Sequence, residues 1–506
     1  MFYCVVLSPD TLVYTTVFAK RVARTIAQRL WLLAFLFPLA IFVLTLNGKW
    51  SSDYPVSILG MQYAMWANHS FSMGTPSQPL VQSVDLALYQ GRYYSAISPG
   101  LAILALPFAA LGFKLDGSTL NLLGNALLMD EFFLAIAASV ATVMTYKISR
   151  FFASPVSSLL ASFALAFASP LWPATTVLFI QAASLMFATA SIYLLLRHTK
   201  GRGGIGSLVA SGILLGLAGF VEYAALLLVV PMAGYLIVRT RKRALPVFLS
   251  GFIIGPLLQL AYNFAAFGSA LTFPEQLKAG ASVGLLSRFD LLGVLGHADM
   301  YLLSPYRGIL VFSPVVVLGF YSLYRMVKSR ELRAEAFLFL GIFLVVLAFY
   351  SSWGDWSGGE AYGPRFLTLT LPGLIVPIAV LLERDSSRGI PFLFTLLFGA
   401  GSLIEGVGAL TTAFSVTGNT LTFQPLALNV SWLLKGNLDS WVVAGLGGPA
   451  GLISWAFVPA ILFSVWSVVL VATGGWGKLP SGKQLDSFRD FRPDEEWSNN
   501  RDKPSS

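Results

Sequence analysis

The sequence predicts an all-α polytopic membrane protein of about 12 transmembrane helices (range 11–13), and three observations carry that reading. The mean hydropathy is +0.73, with 56% hydrophobic and only 11% charged residues, far from the balance of an ordinary soluble domain. Apolar runs of roughly 17 to 25 residues recur along the chain, each long enough to cross a ~30 Å hydrocarbon core as a helix. These runs are continuous and not alternating, which argues against a β-barrel. The third observation is where the basic residues fall. With the connections KISR, RHTKGR, RTRKR, RMVKSRELR and ERDSSR placed inside together with both tails, the cytoplasmic side holds 25 of the 33 Lys and Arg, as the positive-inside rule requires.

Composition also removes alternatives. The formal charge of +9 follows topology, so it gives no reason to expect a nucleic-acid partner. A single cysteine, Cys4, rules out an internal disulfide framework, and three His with one Cys argue against a zinc site. No P-loop or dinucleotide fingerprint is present.

Taken in order, residues 1–30 read as a cytoplasmic lead-in, since Pro9 and Asp10 interrupt the first apolar stretch and no cleavable signal peptide is evident. A transmembrane domain follows over 31–474. Its apolar spans run approximately 31–47, 127–146, 155–171, 179–196, 205–220, 223–238, 245–266, 309–324, 336–350, 367–382, 391–413 and 451–473. The stretch 99–113, with Pro107 in its middle, gets no crossing of its own. A crossing there would put KISR, RTRKR and RMVKSRELR outside, so it reads as interfacial, re-entrant, or half of a close pair with 118–126. The substantial loops, 48–126, 267–308, 351–366 and 414–450, then lie on the extracytoplasmic side, with membrane-parallel helices expected in the first. Residues 475–506 are polar and mixed in charge and read as a disordered cytoplasmic tail. Both termini are thus expected in the cytoplasm of a multi-pass cell-membrane protein.

Candidate chemistry concentrates in the outer loops. The first begins with SSDYPVSILG, carrying Asp53, and continues through Asp85 to GRYYSAISPG, with Arg92, Tyr93 and Tyr94. Two carboxylates and an arginine against a membrane face suit proton abstraction from a hydroxyl and recognition of a phosphate; a solvated loop with ordinary surface charge is the competing reading. The loop SSWGDWSGGEAYGPRF carries Trp353, Trp356, Glu360 and Arg365. Its tryptophans suit an interfacial aromatic belt. Arg365, after Gly363 and Pro364, faces either an anionic headgroup or simply snorkels at a helix end. Glu222, in GFVEYAALL, sits where two spans meet, so it needs either an exposed turn or a partner; Glu405 raises the same question. Asp130 and Glu131 suit the favourable N-terminal turn of the second span. His69 and His297 lack the further ligands that a metal site needs.

These segments resemble the GT-C superfamily of membrane glycosyltransferases, in particular the branch similar to family 39 dolichyl-phosphate-mannose-protein mannosyltransferases and aminoarabinose transferases. SSDYPVSILGMQYAMWANHSFSMG looks like the acidic segment beyond the first span, and DLALYQGRYYSAISPGLAILALPFAALG like the segment after it. YNFAAFGSALT, SPYRGILVFSPVVVLG and WGDWSGGEAYGPRFLTLTLPGL carry the likeness on, over about residues 30 to 385. Many relatives have two adjacent acids in the first motif where this chain has Asp53 followed by Tyr54. The lysine before the Pro-Pro element of aminoarabinose transferases is absent as well, its place taken by the region around Ser98.

The resemblance implies a transferase that moves a sugar from a polyprenyl-phosphate donor to a glycan, lipid or protein acceptor on the extracytoplasmic face, with inversion. It implies Asp53 as general base with Asp85 beside it, Arg92 and Arg365 on the donor phosphate, and Tyr93, Tyr94, Glu222, Trp356 and Glu360 around the substrate. No cofactor is called for, and a divalent metal stays open. The rival readings are a transporter or lipid-sugar flippase and a non-catalytic protein on the same scaffold. The first lacks its usual sequence support, since no internal repeat is evident.

Overall fold

A computed structural model describes residues 29–48, 53–120, 124–240, 244–278, 289–290, 293–359, 361–385, 387–411 and 424–438. The first span is α1 (Arg29–Leu44). It is followed by α2 (Asp53–Asn68), the antiparallel pairs β1 (Gly74–Thr75) with β2 (Gln78–Pro79) and β3 (Leu86–Tyr89) with β4 (Arg92–Ser95), and α3 (Gly100–Leu115). The bundle continues through α4 (Asn125–Ser149), α5 (Pro155–Phe167), α6 (Leu171–Thr175), α7 (Gln181–Thr199), α8 (Ile205–Val221), a 3-10 turn (Tyr223–Leu228), α9 (Val229–Arg239), α10 (Ala244–Phe252) and α11 (Ile254–Phe267). After a 3-10 turn at Pro274–Leu277 come α12 (Gly293–Leu303), α13 (Ile309–Phe312), α14 (Val316–Lys328) and α15 (Arg333–Ser352). A further 3-10 turn (Arg365–Thr370) leads into α16 (Leu371–Arg384), α17 (Gly389–Leu410) and α18 (Pro425–Leu434).

Eleven of the apolar spans read from the sequence fall on these helical segments. The twelfth, 451–473, lies outside the described residues, as do residues 1–28 of the lead-in and the tail 475–506. Five helical stretches, Asn125–Ser149, Ala244–Phe267, Arg333–Ser352, Arg365–Arg384 and Gly389–Leu410, are long and apolar enough to cross a membrane, and shorter apolar helices accompany them.

Where a span is broken, a proline accounts for it. Pro256 and Pro314 lack an N–H, and each ring clashes with the carbonyl four residues back, so helical hydrogen bonding lapses between α10 and α11 and between α13 and α14. Ser154 caps α5, its side chain accepting from Ser157 N at 3.4 Å ahead of Pro155 at the first helical position.

Without a hydrophobic effect between helices in lipid, small residues set the closest approaches. Gly212 and Gly216 on α8 meet the α10–α11 pair, where a Cβ on Gly255 would stand 1.9 Å from Gly216 O and one on Gly212 2.1 Å from Phe248 O. The stretch 99–113 is helix α3, and its close partner is α4: a Cβ on Gly112 would stand 2.3 Å from the Ala126 Cα.

The basic connections gather at one end of the bundle. Glu335, fully buried at the start of α15, receives Lys200 Nζ at 2.6 Å, Arg239 Nη2 at 2.5 Å and Tyr235 OH at 3.0 Å. Arg325 pairs with Asp385 at 2.5 Å and Arg384 with Glu331 at 3.0 Å. Glu383 accepts from Ser154 N and Ser157 Oγ, both at 3.0 Å. Residues 53–98, Phe273–Lys278 and residues 353–359 and 361–366 meet around one cavity elsewhere in the bundle.

Asp130 and Glu131 differ from the sequence expectation. The helix begins at Asn125, so both fall in its second turn, fully buried and not at a solvated start. Glu131 Oε2 accepts from Gly48 N at 2.7 Å, tying α4 to the chain beyond α1. Glu405 is likewise fully buried and accepts from Ser313 Oγ at 3.3 Å.

Candidate active site

The loop end of the bundle encloses a cavity of ≈ 460 Å³, within the range of small-molecule sites. Its first wall is the start of α2. Asp53 and Tyr54 line it, and a serine relay holds Asp85 alongside: Ser83 Oγ donates to Asp53 O at 3.0 Å and accepts from Asp85 N at 2.9 Å, while Ser57 Oγ donates to Asp85 O at 2.7 Å. Two carboxylates 32 residues apart in sequence are thereby set on one surface.

The second wall is the junction after α8. Ser98 Oγ donates to Val221 O, and Gly100 lets α3 start directly against α8, where any Cβ would stand 2.3 Å from Phe220 O. Extended backbone at Glu222 (φ −145°) ends α8 and turns the side chain inward. Tyr350 OH, from α15, donates to Glu222 Oε1 at 2.5 Å. Burial pushes this carboxyl up to about 7, against the opposing effects of the Tyr350 hydrogen bond and the Arg365 charge.

Lys278 forms the third side. A β-bridge between Lys278 and Ala87 carries it over the β3–β4 hairpin, and its Nζ lies 2.7 Å from Asp85 Oδ1. Burial works to lower the lysine pKa, but the Asp85 charge and hydrogen bond outweigh it, and the ammonium is held above its usual value.

The fourth side is the segment between α15 and α16. Arg365 is 8% exposed, with its guanidinium carbon 4.0 Å from the centroid of the Phe179 ring and 5.0 Å from those of Tyr54 and Phe366. Nη2 donates to Gly358 O at 2.7 Å, whereas Nε and Nη1 have no hydrogen-bond partner among the described residues. Arg365 is thus a buried cation beside the cavity with two donors left unsatisfied, a costly state that an anionic partner would relieve. Asp355 lines the same side; burial raises its carboxyl pKa, opposed by Lys278 and Arg365. Phe366 stacks on Tyr350 with ring centroids 4.3 Å apart.

The structure thus brings Asp53, Asp85, Glu222 and Arg365 to one cavity. Arg92 lies away from it: the β3–β4 turn runs through Gln90 (φ 46°) and Gly91 (φ 71°), which leaves Arg92 exposed opposite Tyr89. Tyr93 and Tyr94 are also outside the lining, Tyr94 packing on Phe267 with centroids 5.1 Å apart. Trp356 stacks on His297 at 4.6 Å behind the loop, while its neighbour Trp353 reaches the cavity. Glu360 lies outside the described residues.

Three of these lining residues carry no signal in the sequence reading: Lys278, a few residues beyond YNFAAFGSALT, and Asp355 and Tyr350, close to Trp353 and Trp356. Among the described residues no group of three or more His, Cys, Asp or Glu is placed to hold a metal ion.

The helical scaffold that carries this acid-lined cavity has counterparts among known proteins. Residues 117–260 match the family described as dolichyl-phosphate-mannose-protein mannosyltransferase. Among solved structures the chain is similar to ArnT from Cupriavidus metallidurans bound to undecaprenyl phosphate, with 14% identity, a TM-score of 0.51, and 88% of this chain aligned over 78% of that one. AglB from Archaeoglobus fulgidus, an archaeal oligosaccharyltransferase in complex with an inhibitory peptide and a dolichol-phosphate, aligns at 14% identity and a TM-score of 0.46, over 95% of this chain and 61% of its own. No curated protein sequence matches the chain. The fold implied by the sequence resemblance is borne out.

Proposed function

We propose that the protein is an integral membrane glycosyltransferase. It takes a sugar from a polyprenyl-phosphate-linked donor and passes it to a hydroxyl of a glycan, lipid or protein acceptor on the extracytoplasmic face. The observation that carries this reading is the cavity that Asp53 and Arg365 both line, an acid at the start of α2 and a buried guanidinium with two unsatisfied donors. The match of residues 117–260 and the ArnT-like fold support it.

In this mechanism the acceptor hydroxyl gives its proton to the Asp53 carboxylate as its oxygen attacks the anomeric carbon. The bond from that carbon to the phosphate oxygen breaks on the opposite face, so configuration inverts and the electron pair leaves with the lipid phosphate. A positioned base of this kind contributes ~10²- to 10⁴-fold. The developing phosphate charge is met by Arg365 and by Lys278. The lysine exchanges its Asp85 contact for the anion and takes the place first assigned to Arg92.

The test is reconstitution of the full chain in lipid with radiolabelled polyprenyl-phosphate sugars, compared with Asp53→Asn. Transfer by the wild type and its loss by a factor of roughly 10² or more in the variant is expected; equal transfer by both overturns the base assignment.

A further inference from the structure

Arg307 lines no part of the cavity, yet it is the most heavily bonded cation among the described residues. It precedes α13 in SPYRGILVF, is 1% exposed, and lies over the Tyr306 ring at 3.9 Å. Its Nε donates to Ser357 O, Nη1 to Ala361 O and Nη2 to Gly359 O, each at 2.6 Å. Arg365 donates to the carbonyl in between, Gly358 O. Four carbonyls therefore divide between two guanidinium groups, those of 357, 359 and 361 turning to Arg307 and that of 358 to Arg365. Only a backbone with unusual dihedrals presents them this way, and Gly358 (φ 69°) and Gly359 (φ 67°) supply it.

We infer that Arg307 is a positioning residue for the cavity: its planar fork fixes the backbone at Ser357, Gly359 and Ala361, and the Gly358 carbonyl between them holds the Arg365 guanidinium at the cavity wall, with Nε and Nη1 left for the donor phosphate. The inference rests on the reading of Arg365 as the phosphate-binding cation. Arginine suits the task because its donors are spread over three nitrogens in one plane, so three carbonyls are reached at once. Lysine offers three donors from a single atom and cannot span them. Among the described residues the hydrogen bonds of Arg307 go to carbonyls and the Tyr306 hydroxyl and none to a carboxylate, while the Asp355 charge acts on it without direct contact.

The test uses the full chain in detergent with undecaprenyl phosphate as probe and undecaprenol as the phosphate-free control, and compares wild type, Arg307→Lys, Arg365→Lys and the double variant. Hydrogen exchange over residues 353–366 is followed in parallel. Arg307→Lys is expected to speed exchange in that segment and weaken phosphate-dependent binding roughly tenfold, and the double variant to bind no worse than Arg365→Lys alone. Unchanged binding in Arg307→Lys, or losses that add in the double variant, overturns the inference. If Arg365→Lys binds like wild type, the phosphate reading fails. The exchange data then stand alone: faster exchange in Arg307→Lys keeps the loop-setting role, and unchanged exchange removes it. Should Arg307→Lys not fold, Gly359→Ala perturbs the same loop through its φ alone, because a Cβ there meets nothing within 4 Å; weakened binding supports the inference and unchanged binding overturns it.

Discussion

Arg365 is held by one carbonyl and three rings, so a change there alters the cavity while leaving most of the packing in place. Arg365→Met should keep the aromatic contacts, remove the open donors, and lower sugar transfer by ~10²- to 10³-fold, the usual cost of losing a preorganised donor to a developing anion; initial rates at saturating acceptor measure this. Glu222 gives a pH signature. Its carboxyl is raised from 4.5 to about 7 in the folded protein. The folded state therefore binds more protons between those values, and this contribution to stability is fully present below the unfolded pKa and lost as pH rises through about 7. The charge that appears then lies beside the anion site, so undecaprenyl phosphate affinity should fall more steeply with rising pH in wild type than in Glu222→Gln. The lipid's own titration is common to both proteins and cancels in that comparison. Asp53, Glu222 and Arg365 were legible in the sequence because each is a charge at the edge of an apolar run, and Asp85 because it shares the first loop with Asp53. Lys278 was not, because its role depends on a bridge to Ala87 that pairs residues nearly two hundred positions apart.

Helices in this protein meet through glycine. Gly255→Val would place a side chain into the Gly216 carbonyl and should lower the thermal midpoint in detergent, at a cost of about 1–3 kcal/mol or more from overpacking. Gly206→Ala, where a Cβ meets nothing within 4 Å, serves as the control that should leave the midpoint unmoved. Spans were readable from hydropathy alone, and Pro256 and Pro314 explain why two of them resolve into broken helices. The stretch 99–113 was harder: its apolar content marks a helix, but its pairing with α4 depends on Gly112 facing Ala126, a packing relation that no run of hydrophobic residues encodes. The β3–β4 turn is similar, since positive φ at Gln90 and Gly91 decides that Arg92 points away.

At the scale of the molecule, charge separates the two ends. Single cysteines introduced as Gln90→Cys in the hairpin and Ser387→Cys between α16 and α17, with Cys4 replaced by Ser, should react with an impermeant thiol reagent from opposite faces in intact cells, the hairpin from outside. Labelling of both from one face would overturn the proposed topology. The asymmetry of Lys and Arg among the connections made this division readable before any coordinates. What it did not contain is Glu335, a buried acid that joins the connection after α7, the end of α9 and the start of α15 into one unit. The basic end is thereby bound into one unit, so on the proposed function a bulky lipid-borne sugar has to be admitted from the opposite, cavity end.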